Sequence, residues 1–165
     1  MKALFISHKD LVRHTPISGN LDFDRVQHYV EISQDIHIQG LLGTNLYDKL
    51  QNDILTNTLT ADYELLLKEY IKPTLAQYAL LEFLPFAPYS VNNKGIFKAS
   101  SENAALPNKE ELLVMVEATR DIAQHYATRL VDKLVNYPTT YPEYLTNTLD
   151  QMNPTRDTPF GGWNI

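Results

Sequence analysis

Two groups of histidine and acidic residues have the spacing that would place metal ligands on one face of a helix. His28 and Glu31 lie one helical turn apart, and Glu117, Asp121 and His125 follow at four-residue intervals, so each group shares a helix face. A carboxylate di-metal centre in a helical bundle would need two Glu-x-x-His units and further inward-facing glutamates. The sequence has no Glu-x-x-His. We therefore interpret Glu117 and Asp121 as surface charges and predict no metal-binding residues.

The sequence also lacks the short motifs of common catalytic and nucleotide-binding sites. It has no Gly-x-Ser-x-Gly, no Walker loop and no Gly-x-Gly-x-x-Gly. Gly40 and Gly43 have the positions of helix-ending residues, and Glu110 and Glu111 lie at a predicted helix start, where negative charge is favourable. We therefore predict that the chain is not an enzyme, that it has no catalytic residues and that it binds no cofactor.

The bulk composition is that of a single soluble domain. The chain has 165 residues, of which 44% are apolar and 21% charged, and its net charge is −6. An acidic balance argues against a general nucleic-acid binder, which needs clustered cations to neutralise phosphates. The absence of cysteine excludes disulfides. The apolar start at Met1–Ile6 is too short for a signal peptide, and no stretch approaches the roughly 20 apolar residues of a membrane span. We expect a protein that acts in the cytoplasm or in an assembly made there, without a membrane partner.

The stretch 24–50 is predicted to be two helices joined by a tight corner at Gly40–Thr44. Gly43 would end the first helix with a left-handed conformation, and the Thr44 hydroxyl would cap the second. Leu41 and Leu42 are expected in the core. The apolar stripe of the first helix is predicted to hold Val26, Tyr29, Val30, Ser33 and Ile36, and its outward face Arg25, Gln27, Glu31 and Gln34.

Residues 1–23, before this helix pair, and the stretch that begins at Thr60, after it, have different sequence patterns. Residues 1–23 alternate loosely and end in a turn-rich run, which predicts an extended arm with at most a short strand. A third helix is predicted to begin at Thr60–Asp62. Pro73 lies inside it, so a kink or break is expected near Ile71 and Lys72.

The segment 85–107 lacks helical periodicity and is predicted to be an inserted, hairpin-like loop. Two short apolar runs flank Asn92–Gly95, whose composition favours a tight turn. Insertions of this length in a helical domain are often functional surfaces.

A fourth helix is predicted from an Asn108 cap, with Glu111 in capping-box position, to about Val135. Its length makes it the expected spine of the bundle. Pro142 suits the first turn of a short helix through Leu149. The predicted fold is all-α: a bundle of four to five helices in one domain, 1–150, with an extended C-terminal docking tail, 151–165.

Aromatic residues near the C-terminus leave two alternatives open. The tail keeps Phe160 and Trp163, the single tryptophan, which either fold back onto their own bundle or dock onto another subunit. Tyr89, Tyr137, Tyr141 and Tyr144 lie in or near loops, where aromatic residues are typical either of subunit contacts or of a core margin.

Several sequence segments, taken in order, resemble a small protein family encoded by tailed phages of Bacteroidetes hosts, including crAss-like phages. These segments are Gln34–Gln39, Leu42–Leu50, Glu69–Pro73, Asn93–Ile96 and Tyr141–Tyr144. The similarity covers about residues 22 to 150. More loosely, the chain resembles the helical head–tail connector proteins of tailed phages, whose helix pair, inserted loop, long helix and extended C-terminus are the shared features.

The resemblance implies a structural virion protein, assembled in the host cytoplasm, that forms a ring of about twelve copies beneath the portal. Its partners would be the portal protein, neighbouring copies and other tail or connector proteins, and DNA would pass through the channel without specific binding. The implied portal-binding residues are Pro154, Arg156, Pro159, Phe160, Trp163 and Ile165. The implied inter-subunit residues are Tyr89, Val91, Ile96 and Phe97. The alternative is a monomeric or dimeric helical adaptor that binds one protein partner.

Overall fold

A computed structural model describes residues 2–93, 95–98, 106–146 and 152–154. Its α-helices are α1 (His8–His14), α2 (Asp24–Ser33), α3 (Gln39–Leu42), α4 (Thr44–Thr56), α5 (Ala61–Leu66), α6 (Lys72–Phe83) and α7 (Lys109–Asn136). Strands β1 (Tyr89–Asn92) and β2 (Gly95–Lys98) form one antiparallel hairpin, and Pro142–Tyr144 is a 3-10 turn. The architecture confirms the predicted all-α bundle with an inserted hairpin. None of the helices in the described ranges is long and apolar enough to cross a bilayer.

The first helical stretch contains an irregularity that the stripe prediction missed. A π-helical turn, Gln34–Ile38, connects α2 to α3 without a break. One extra residue per turn rotates the faces that follow. Gln34, predicted to point outward, is fully buried, whereas Ile36, predicted in the apolar stripe, is 61% exposed. Both assignments were wrong: Gln34 lies four residues after the buried Val30 and continues its face, and Ile36 lies inside the π-helical turn.

The corner after α3 lies at Gly43, but it is shorter than predicted because Gly40 is inside α3, and neither Gly43 nor Thr44 has its predicted role in full. Gly43 has φ 75° and ψ 159°, a positive φ with extended rather than left-handed helical ψ, and it ends the helix. Leu41 and Leu42 are buried, which confirms their core position. The Thr44 hydroxyl does not cap α4. It accepts instead from the backbone N–H of Met152 (3.2 Å), so the predicted cap is occupied by the C-terminal segment.

The N-terminal arm is not wholly extended, contrary to prediction. It contains α1, whose first turn is closed by a capping box in which Ser7 and Asp10 satisfy each other's backbone N–H groups. Leu11, on the inner face of this helix, is fully buried. Before α1, residues 2–7 form neither helix nor strand, and Phe5 and Ile6 are buried in the core.

The centre of the bundle is α6 rather than the long helix. Every residue from Pro73 to Leu80 is buried, and α6 contacts α1, α2 and α7. The irregularity predicted ahead of Pro73 is a second π-helical turn, Leu67–Ile71, through which α5 continues into α6. The wider turn accommodates a proline, which has no N–H to donate.

Helix α7 has the predicted capping box at its start, but only its later part packs in the bundle. The Asn108 side chain accepts from the Glu111 N–H (2.8 Å), and the Glu111 carboxylate accepts from the Asn108 N–H (2.9 Å). Its 28 residues span about 42 Å. Buried positions begin only at Thr119 and continue to Leu134.

The chain after α7 returns to the core. Tyr141 and Tyr144 are both buried, so the core alternative is correct for these two residues. The Tyr141 hydroxyl donates to the Asp62 carbonyl (3.1 Å). A helix was predicted from Pro142 through Leu149. The structure instead has a 3-10 turn that ends at Tyr144. Residues 147–149 of the predicted helix lie outside the described residues.

Candidate interaction surface

The inserted hairpin is exposed on both of its faces. Its strands pair with Tyr89 opposite Lys98 and Val91 opposite Ile96. Neighbouring side chains on a strand point to opposite faces, yet Ile96 is 72% exposed and Phe97 45% exposed. An isolated two-stranded hairpin is at best marginally stable in water. The hairpin therefore presents an apolar surface that its own bundle does not cover.

The start of α7 presents a second uncovered apolar surface. No residue from 109 to 118 is buried. Leu113, Val114 and Met115 are all exposed, with Val114 at 65%. Since consecutive helical residues are about 100° apart, these three side chains cover more than half of the helix circumference. The flanking residues Glu110 and Glu117 are exposed and acidic.

The C-terminal segment is attached at the corner between α3 and α4. The Thr44 N–H donates to the Met152 carbonyl (3.0 Å), and the Asn45 side-chain amide donates to the Thr146 carbonyl (2.6 Å). Pro154 is buried. The last described residues, 152–154, are thus fixed beside this corner.

The residues assigned by the resemblance fall into three groups. Tyr89, Ile96 and Phe97 are exposed on the hairpin, and Val91 contributes backbone pairing there. Pro154, expected to face the portal, is buried against its own subunit. The other portal-binding candidates, Arg156, Pro159, Phe160, Trp163 and Ile165, lie outside the described residues, so the choice between folding back and docking stays open for Phe160 and Trp163.

The histidine and acidic groups that share helix faces are separate surface features. His28 and His125 are exposed, as are Glu117 and Asp121. Glu31 accepts a hydrogen bond from the Gln27 side chain (2.9 Å). Among the residues that the structure describes, no three histidine or acidic side chains come close enough to hold a metal ion.

A polar cleft of about 640 Å³ is a feature that the sequence did not indicate. It lies between helices α1, α5, α6 and α7. Its ionisable lining consists of Asp10, Arg13, His14, Glu64, Lys68, Glu69, Lys72, Tyr126 and Arg129. Because these positions come from distant parts of the chain, no local motif could reveal them. Burial, followed by the positive charge of Arg13, lowers the pKa of His14, which favours its neutral form at pH 7.

Inside the cleft, Lys72 donates to the Asp10 carboxylate (2.9 Å). Burial opposes ionisation of Asp10, but hydrogen bonds from Lys72 and from the Ser7 backbone and side chain outweigh it and lower the pKa of Asp10. Ion pairs between described residues leave Arg13 and Lys68 without a carboxylate partner. The Asp10–Lys72 pair therefore joins α1 to α6.

The Asp10–Lys72 pair makes stability depend on pH. Because the folded-state pKa of Asp10 is lowered, the pair stabilises the fold above the unfolded pKa of about 3.9, and this contribution is lost as pH falls through the folded value. We expect Asp10→Asn to lower the free energy of unfolding by about 1–2 kcal/mol at pH 7. The difference from wild type should shrink as the pH falls below the unfolded pKa and should vanish once Asp10 is protonated in the folded state as well. Urea unfolding of both proteins across this range measures it, and a difference independent of pH would contradict it.

The tyrosine contacts include one bond that the sequence did not signal. The Tyr63 hydroxyl donates to the Glu143 carboxylate (2.5 Å). Burial and then the hydrogen bond to Glu143 raise the pKa of Tyr63, so this tyrosine stays protonated. The bond ties the chain after α7 to α5.

Comparison with known proteins gives one match. Residues 38–150, more than half of the chain, match a family described as a family of unknown function, DUF6712. The matched region includes the corner, the hairpin and α7, and it does not extend to α1, which lines the cleft. No curated protein and no solved structure gives a significant match.

Proposed function

Since the chain belongs to DUF6712, a family of unknown function, we propose its function from its surfaces and from its resemblance to phage connectors. The proposed function is that of a structural virion protein. Copies of the chain form a head–tail connector ring that binds the portal protein and joins capsid to tail. The chain acts by contact with partners and carries out no catalysis.

The observation that carries this proposal is the hairpin exposed on both faces. A subunit that worked alone would leave Ile96 and Phe97 in water on an element that is only marginally stable by itself. A ring subunit covers such an element with the next copy. Because each subunit in a ring repeats the same contact, modest contacts add up to a stable assembly.

The net charge of −6 also supports the proposal. A connector encloses the channel through which DNA leaves the capsid. Negatively charged subunits repel the phosphate backbone, and this repulsion prevents the tight non-specific binding that a cationic channel would cause. DNA can then pass through the ring without being held.

The experiment that tests the proposal is a native mass measurement of the purified chain alone and with the portal protein of the same virus, supported by electron micrographs. We expect a ring of about twelve copies, on its own or on the portal. A stoichiometric complex with a different single protein, with the chain monomeric or dimeric, would favour the adaptor alternative. Monomeric behaviour both alone and with portal would contradict the connector.

The tail provides a second arm of this experiment. Removing residues 155–165 keeps Met152 and Pro154, which are held at the corner, and so should leave the helical circular-dichroism signal and the unfolding temperature unchanged. Portal binding should fall at least about a hundredfold, since Phe160 and Trp163 are the predicted anchors and such aromatic residues can each contribute 2 kcal/mol or more. The full-length double variant Phe160→Ala/Trp163→Ala should behave like the truncation, and Thr158→Ala is its control. Unchanged portal binding after truncation would contradict the tail assignment.

A further inference from the structure

We propose that the hairpin of one copy docks on the first half of α7, residues 109–121, of the next copy. The inference rests on the proposed ring of identical subunits and names the two surfaces that meet in it. The contact is head-to-tail, because the docking element and its receptor are different parts of the same chain. Such a contact, repeated with a rotation that closes, generates a ring.

The first argument is that both surfaces are apolar and uncovered in the same subunit. Ile96 and Phe97 are exposed on the hairpin, and Leu113, Val114 and Met115 are exposed on α7. If the hairpin lay on its own α7, these side chains would bury one another. A second copy is therefore needed to bring the two surfaces together.

The second argument is the opposite charge of the two surfaces. The segment 85–100 has two lysines, one of which is the exposed Lys98, and no acidic residue. Residues 109–121 have four acidic residues and two basic ones. Among the acidic residues, Glu111 serves the capping box, whereas Glu117 and Asp121 are exposed. Charge complementarity of this kind orients the partners as they meet.

The same charges select against the symmetric alternatives. Two hairpins that met face to face would bring lysines together, and two α7 surfaces that met would bring carboxylates together. Like-charge contact disfavours both arrangements. Charge repulsion thus opposes a symmetric dimer through either surface. It favours the contact of a hairpin with α7 of another copy, which is the heterologous contact that a ring needs.

Disulfide trapping tests the contact directly, because the natural chain has no cysteine. The test variant is Ile96→Cys/Val114→Cys. The matched control is Ile96→Cys/Val135→Cys, whose second cysteine replaces another exposed valine of the same helix, 49% exposed and near its C-terminal end. Under mild oxidation of the full-length chain, we expect the test variant to form a ladder of covalent oligomers and the control to stay monomeric. A mixture of Ile96→Cys and Val114→Cys chains should form covalent dimers and nothing larger.

Several outcomes would overturn this inference. Cross-linking of the Val135 control as fast as the test variant would show that the receptor is not the start of α7. Cross-linking of Ile96→Cys alone as fast as the mixture would show a symmetric hairpin contact. If wild-type rings form with portal but the test variant does not cross-link in them, this inference is wrong and the proposed function stands. If no ring forms in any condition, the proposed function itself is wrong.

A charge exchange gives an independent readout. Lys98→Glu and Glu117→Lys should each slow cross-linking of the test variant about tenfold at low salt, since each removes an attraction and adds a repulsion. The two changes combined should restore most of the rate. A combined variant slower than either single variant would contradict the charge pairing. Both positions are exposed, so neither change should unfold the chain.

Discussion

Replacing Ile96 and Phe97 together by serine should abolish the proposed ring assembly, both of the chain alone and with portal, while the free energy of unfolding changes by less than about 0.5 kcal/mol. Both side chains are exposed in the subunit, so their removal leaves no cavity in the core. In the ring, the loss of both would weaken each subunit contact by about 3 kcal/mol, which is roughly a hundredfold in its dissociation constant. Sedimentation and native mass spectrometry measure the assembly, and urea unfolding measures the stability.

The control for this change is a second double variant that removes the same kind of surface elsewhere. Leu55 on α4 and Val135 near the end of α7 are both exposed, and neither belongs to the two surfaces of the proposed contact. Leu55→Ser/Val135→Ser should assemble as the wild type does. If rings still form in the hairpin variant, assembly does not depend on the hairpin. If rings are lost equally in the control variant, the loss is not specific to the hairpin.

The elements that the sequence predicted well are those with strong local signals. The long helix α7 begins at Asn108 with the capping box that its own residues specify. The hairpin lies where two short apolar runs flank Asn92–Gly95. In both cases the decisive interactions lie within a few residues of each other. That the hairpin and the start of α7 stay uncovered could only emerge from the packing of the whole chain.

Other features depend on contacts between distant residues. Helix α1 has only seven residues, too few to be stable without packing. Ser7 and Asp10 form a capping box at its start. The sequence contains this helix-start signal, but the loose alternation of apolar residues around it led to the prediction of an extended arm. The cleft takes Asp10 from α1, Lys72 from α6 and Arg129 from α7, and no spacing along the chain relates these positions.

The burial of Gln34 illustrates how contacts between distant residues decide the assignment of a face. The stripe prediction placed Gln34 outside and Ile36 inside, and both assignments were wrong. Gln34 lies four residues after the buried Val30, so its spacing is that of the inner face, although its polar type favours the surface. The backbone before α1 needs hydrogen-bond partners, and the buried Gln34 side-chain amide provides them.

Gln34→Ala should be among the most destabilising single substitutions of a polar residue in this chain, at about 3 kcal/mol. The Gln34 side chain accepts from the Phe5 N–H (2.8 Å) and donates to the Ala3 carbonyl (2.9 Å) and to the Tyr47 hydroxyl (3.2 Å). Alanine would leave the Phe5 N–H buried without its partner and would open a cavity in the core. Urea unfolding measures the loss, and limited proteolysis near residues 2–6 should accelerate with it.

Gln51→Ala is the matched control, because Gln51 makes two hydrogen bonds to the same N-terminal arm, as Gln34 does in addition to its bond to Tyr47. Its side chain accepts from the Ala3 N–H (2.6 Å) and donates to the Ala3 carbonyl (2.7 Å). Gln51 is only partly buried, so water can replace both bonds, and the expected loss is about 1 kcal/mol or less. If Gln34→Ala and Gln51→Ala cost the same, burial is not what makes the Gln34 bonds matter. The N-terminal arm would then be held chiefly by the packing of Phe5 and Ile6.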